Sequence, residues 1–234
     1  MAASRRARRE KKKVSTKARL YRSISVILIV IGLGILSYTG FQWLSVHYHQ
    51  TRLRDSFTAT AGFRNIFEQG PEVIKISEFK PMRLVIPAID VDLMVVGDVD
   101  TYDPDLIGNK PWNFSDADYR KWLNDLKPLL DKGPVYYQLS DLPSSEKGNV
   151  VIAGHRAGHW NFFRYLDELE EGDEIYLEVD GYRFTYLVEK VVQVNNDDWT
   201  MFLTTEEPSI TLQTCTPLGV PTPPLPLERA GRSA

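Results

Sequence analysis

Residues 23–46 run SISVILIVIGLGILSYTGFQWLSV, 24 positions without a charged side chain. A helix needs about 20 predominantly apolar residues to cross the hydrocarbon core of a bilayer, so this run fits a single transmembrane helix. Gly32 and Gly34 do not break it, because glycine is tolerated in such helices. Tyr38, Phe41 and Trp43 gather toward its far end, where aromatic rings prefer the interface. Ten of the chain's 28 Lys and Arg residues, but only one of its 31 acids (Glu10), lie in residues 1–22. By the positive-inside rule that block is a cytoplasmic tail, and the chain after Val46 lies outside the cell. Two other readings of the run are weaker. A cleaved signal peptide has a shorter apolar core and an A-x-A-like site, which is not seen here. A core helix of a soluble protein has no use for ten cations directly before it.

Beyond residue 22 the balance reverses, with 18 basic against 30 acidic residues. An acidic body argues against a nucleic-acid partner, which would call for a basic surface. At 234 residues and 43% hydrophobic, the chain has material for one globular domain with a sizeable core, or for two small ones. A single cysteine and four histidines exclude an internal disulfide framework and a multi-cysteine zinc site. No cofactor is expected.

Residues 47–80 are polar and mixed and read as a stalk, helical up to the Gly70-Pro71 break. RLVIPAIDVDLMVVG, from Arg83, is β-branched and interrupted by Pro87, which predicts two short strands with a kink. Ser115 followed by Asp118 resembles a capping box. Tyr119, Trp122, Leu123, Leu126 and Leu130 then recur at helical spacing, predicting an amphipathic helix over 116–131 whose stripe faces the core. PVYY and KGNVVIAG restore the β pattern, and Asn161–Glu170 reads as a short helix. DEIYLEV and YRFTYLVEKVVQV flank Asp180-Gly181, a hairpin signal. SITLQT ends at Cys215. The fold class is mainly β, a closed or nearly closed barrel with short helices.

Cys215 follows an apolar strand directly. In an exported chain an odd cysteine points to a reactive thiol or an intermolecular bridge; the plainer reading is a small buried hydrophobe. His155 stands just past VVIAG, also at a strand end, and a lone histidine is as often a surface residue. His159 is a nearby decoy. A nucleophile and its base at the ends of separate strands can converge on one rim of a barrel.

These residues carry a resemblance. TLQTC (Thr211–Cys215) resembles the TLxTC signature of sortases, NVVIAGHR (Asn149–Arg156) is similar to the segment holding their histidine, and RLVIPAIDVDLMVVG resembles their opening strands. The match runs from about Met82 to Thr222. It implies a sortase-type β-barrel over 81–222 and a cysteine transpeptidase. Cys215 would attack the Thr–Gly carbonyl of an LPxTG-type sorting signal on a secreted protein, and an amine acceptor, either peptidoglycan precursor or a pilin lysine, would resolve the thioester. His155 would move the protons. A papain-like order is disfavoured, because there the cysteine precedes the histidine.

The family also uses an arginine, roughly nine residues after the cysteine on a following strand. Here position 224 is Pro224, and Pro223, Pro224 and Pro226 make the stretch a poor interior strand. Residues 223–234 therefore read as an atypical proline-rich tail in which the final strand is missing. Arg229 is the first arginine after the cysteine and serves only if that tail folds back. A changed reading frame and a variant that has lost turnover also fit, and the latter leaves a non-catalytic binding or scaffold protein as the alternative. Arg156 reads as a local contact.

Overall fold

The computed structural model describes residues 2–57, 64–65, 73–97, 116–157, 161–195, 198–215 and 225–232. Two compact units divide the chain, Met1–Ser45 and Val46–Ala234. Helix α1 (Ala2–Ser56) supplies the first. Within it, Leu20–Asp55 is long and apolar enough to cross a membrane by length and composition. Ile27, Leu28, Ile29, Leu33 and Leu36 are all more than half exposed.

The second unit is built on one strongly curved sheet. In chain order its strands are β1 (Arg64–Asn65), β2 (Met82–Ile86), β3 (Val91–Val95), β4 (Val135–Tyr136), β5 (Gly148–Ala153), β6 (Glu174–Val179), β7 (Tyr182–Val191), β8 (Pro208–Thr214) and β9 (Leu225–Arg232). They lie in the order β3-β2-β6-β7-β9-β8-β5-β4, with β1 beside β7. The two edges, β3 and β4, meet only at an isolated bridge, Val96–Val135. The sheet thus curls round as a barrel without a continuous ladder closing it among the described residues. β2 and β3 turn through Pro87–Ile89 and Asp90, whose φ is 54°. Asp180 and Gly181, with φ of 50° and 81°, join β6 to β7 in the tight turn that suits twisted strands.

Two apolar clusters hold the unit together. The larger lies inside the curl and includes Leu84, Ile86, Val150, Ile152, Phe163, Ile175, Leu177, Ile210 and Leu212. The smaller lies between the sheet and helix α2 (Asp116–Leu130) and joins Trp122 and Leu126 to Tyr137, Val151, Ala153 and Phe202. The helix expected over 116–131 is therefore realised as Asp116–Leu130, with Trp122 and Leu126 buried and Leu129 and Leu130 packed against the same cluster. Over Asn161–Glu170 the chain forms turns and one 3₁₀ turn, Leu166–Glu168, instead of a regular helix. Phe163, Leu166 and Leu169 still plug the larger cluster.

Two expectations are corrected. Residues 47–80 are not simply a stalk. Gln50 donates to the carbonyls of Met94 (3.1 Å) and Lys132 (3.0 Å) and accepts from the Met94 amide (2.9 Å). Ile74, Ile76 and Phe79 are buried in the larger cluster. The missing final strand also exists, as β9, paired on both sides with β7 and β8. Only Pro226 of the three prolines falls within it. The ladder to β8 is irregular between Leu212 and Thr214, where Pro226 passes, and pairing with β7 reaches no further than Val191 opposite Glu228. A residue without an N–H is tolerated at such a break.

Candidate active site

β5 and β8 run parallel beside the β4 edge of the sheet, in register from Gly148 opposite Pro208 to Ala153 opposite Gln213. Every residue of β5 is buried, because Val150 and Ile152 face one cluster while Val151 and Ala153 face the other. Strands covered on both faces read as unbroken apolar runs, and NVVIA is one.

Side chains add a second set of ties between the two strands. Buried Asn149 accepts from the hydroxyls of Thr211 (2.8 Å) and Ser209 (3.2 Å) and donates to the carbonyl of Met201 (2.5 Å). At the other end the Gly154 amide donates to the carbonyl of Gln213 (2.9 Å). The Thr214 hydroxyl donates to the carbonyl of Gly154 (2.9 Å). The next residues on the two chains are His155 and Cys215. Neighbouring strands lie about 4.8 Å apart, so the structure brings these two predicted residues to adjacent strand ends on one rim. Gly154 has a packing reason: a Cβ there would stand 2.7 Å from the Phe163 ring.

The loop carrying His155 is braced from several directions. Its carbonyl accepts from the Phe163 amide at 2.9 Å. Its Nε2 lies 3.3 Å from Oδ1 of Asp131, just beyond the end of α2. Arg156 pairs with Asp167 (2.5 Å) and extends a second guanidinium nitrogen to 3.5 Å from the Cys215 carbonyl. The buried Nε of Arg156 has no hydrogen-bond partner among the described residues. Cys215 is half-buried. His159 lies outside the described residues.

A sortase-domain model matches residues 84–224, a span that includes both Asn149–Arg156 and Thr211–Cys215. The chain belongs to the sortase family.

Sortases are membrane-associated cysteine transpeptidases. Sortase D of Bacillus subtilis is 27% identical over 208 residues, covering 83% of this chain and 88% of its own length. Sortase SrtE1 of Streptomyces coelicolor is 32% identical over 105 residues, 39% of this chain and 30% of that protein. The fold is shared with sortase C-1 of Actinomyces oris (22% identity, 65% of this chain and 73% of that one, TM-score 0.50). It is shared too with a pilus-related sortase C of Group B Streptococcus (19%, 81% and 90%, TM-score 0.51).

Within this sortase the arginine stands apart from the other two residues. Backbone register sets Arg229 opposite Thr211, four residues before Cys215, or about 13 Å of strand. The residue opposite Thr214 is Leu225. Reading the sequence also passed over Asp131. Its only signal is a place just beyond an apolar helix, which marks no chemistry by itself.

Proposed function

We propose that this chain is a membrane-anchored sortase that cleaves an LPxTG-type sorting signal between Thr and Gly and transfers the new acyl end to an amine, with Cys215 and His155 as the working pair. The observation that carries the proposal is the Thr214–Gly154 hydrogen bond on parallel strands whose next residues are Cys215 and His155. It supports a thiol and an imidazole held within reach of one substrate carbonyl.

Cys215 Sγ attacks that carbonyl as thiolate, the form of cysteine that acts as nucleophile. The tetrahedral intermediate expels the glycine amine, which takes a proton from the His155 imidazolium. A thioester on Cys215 remains. An incoming amine gives a proton to the neutral imidazole, attacks the thioester carbonyl and releases the thiolate. Atoms and protons then balance over the two steps. The acceptor is a cell-wall precursor amine or a pilin lysine. The cationic tail before the apolar helix supports a cytoplasmic N-terminus and an external catalytic unit.

A second reading is favoured by the Arg229 register and by Leu225 opposite Thr214. The developing oxyanion is stabilised by donors aimed at it. With Arg229 set back along β9 and Arg156, the cation beside the Cys215 carbonyl, already paired with Asp167, the chain grips sorting signals while turning them over slowly or not at all. Fluorogenic LPxTG peptide with and without an added amine separates the two readings. The transferase yields an amine-dependent product; the scaffold binds peptide and releases it uncut. Under the second reading, Pro224→Arg or Leu225→Arg raises turnover.

A further inference from the structure

We propose that Asp131 is the positioning residue of His155, and that the last turns of α1 fix where Asp131 stands through Gln50. The inference rests on the Cys215–His155 pair proposed above and adds the group that aims its imidazole.

Asp131 Oδ1 lies 3.3 Å from His155 Nε2, and the backbone that carries it is held on both sides. On its N-terminal side, α2 is anchored by Trp122 and Leu126, packed among Tyr137 and Phe202. On its C-terminal side, the Lys132 amide donates to Leu129 (2.9 Å) and the Lys132 carbonyl accepts from Gln50 (3.0 Å). Gly133 passes so close to Gln50 that a Cβ would meet its Nε2 at 2.4 Å. Val135 then enters β4 opposite Ala153, two residues before His155. The segment carrying Asp131 thus runs antiparallel to the one carrying His155. Gln50 also accepts from and donates to Met94 of β3, so one side chain ties α1, β3 and the Asp131 turn together.

A neutral imidazole carries one N–H. A carboxylate facing Nε2 favours that proton there and leaves Nδ1 as the basic nitrogen, so that one ring nitrogen is held by Asp131 and the other is open to act as base. When His155 is protonated, the same carboxylate faces the imidazolium. Carboxylates that orient metal-bound imidazoles commonly matter by about 10- to 100-fold, and the same order is expected for an imidazole that moves protons. Asp131 is half exposed, which places the expected effect at the lower end.

The test uses the full chain in detergent micelles, labelled with ¹⁵N-histidine, and His155 signals are assigned by their loss in His155→Gln. In Asp131→Ala the His155 ring nitrogens shift toward the Nδ1–H tautomer while those of His47 and His49 stay in place. The single-turnover rate of thioester formation with an LPxTG peptide falls about tenfold, and peptide affinity in the Cys215→Ala background is unchanged. Asp131→Glu recovers part of the rate. Gln50→Ala moves both readouts the same way by less.

Wild-type nitrogen shifts and a wild-type acylation rate in Asp131→Ala overturn the inference. So does a slowed rate accompanied by a lowered melting point and no recovery in Asp131→Glu, the pattern of general destabilisation. A wild-type chain that forms no thioester contradicts the Cys215–His155 reading instead, and the nitrogen shifts still decide the place of Asp131.

Discussion

The Thr214 hydroxyl donates to the carbonyl of Gly154 at 2.9 Å, so the residue before Cys215 is bonded to the residue before His155. One threonine thereby sets the spacing of the two strand ends from which the proposed chemistry departs. Thr211, three residues earlier, ties the same strands through Asn149. Both threonines of TLQTC act structurally here, one at the rim and one in the interior.

Thr214→Val keeps the shape of the side chain and removes the donor. Stability falls by about 1 kcal/mol, the net worth of one such bond. The thioester-forming rate falls more than that loss accounts for, by about tenfold or greater, since small misplacements of reacting groups are costly. Thr214→Ser retains most of the rate. Denaturant unfolding and single-turnover acylation on the same samples separate the two effects.

Asn149→Leu tests the interior tie. It strands the buried Thr211 hydroxyl and the carbonyl of Met201, while the Ser209 hydroxyl keeps Thr205 and the Gly148 carbonyl, and the expected cost is about 2 kcal/mol. The shift is read in the unfolding midpoint. The double variant Asn149→Leu/Thr211→Val is less destabilised than the sum of its singles, because its second change removes a polar group the first had orphaned.

How much of this was legible in the sequence depends on the range of the cause. The strands around Asp180-Gly181, the β-branched runs of β2, β5 and β8, and the stripe of α2 are local patterns, and they fold as read. β9 was not legible. Its neighbourhood is dominated by prolines, and Pro226 is acceptable only because of the irregularity opposite Leu212–Thr214, a fact about another strand. Gln50 looked like stalk because its three backbone partners lie in segments 44 and 82 residues away. Asp131 carries no motif and acquires meaning only through the antiparallel approach of β4 to β5.

A charged cluster on β2, β3 and β6 gives a pH prediction. Arg83 holds Asp92 through two 2.8 Å bonds and reaches fully buried Glu178 at 2.9 Å. The hydrogen bond from Arg83, reinforced by its charge and opposed by burial, keeps the Asp92 carboxyl below its usual range. A carboxyl depressed in the folded state contributes stability above its unfolded pKa, about 3.9, and loses it as pH falls through the folded value. Asp92→Asn is therefore less stable than wild type at neutral pH, and the gap narrows as the pH drops below about 4. Thermal melts from pH 7 to pH 2.5 follow it; a gap that stays constant with pH contradicts the assignment.

The most direct test of the central claim is intact mass spectrometry of the full chain after incubation with an LPxTG peptide and no amine. The account predicts an adduct of the peptide's acyl portion through threonine, absent in Cys215→Ala, strongly reduced in His155→Ala, and discharged when an amine is added. Peptide binding with no covalent adduct in the wild-type chain, or an adduct that survives Cys215→Ala, would contradict it.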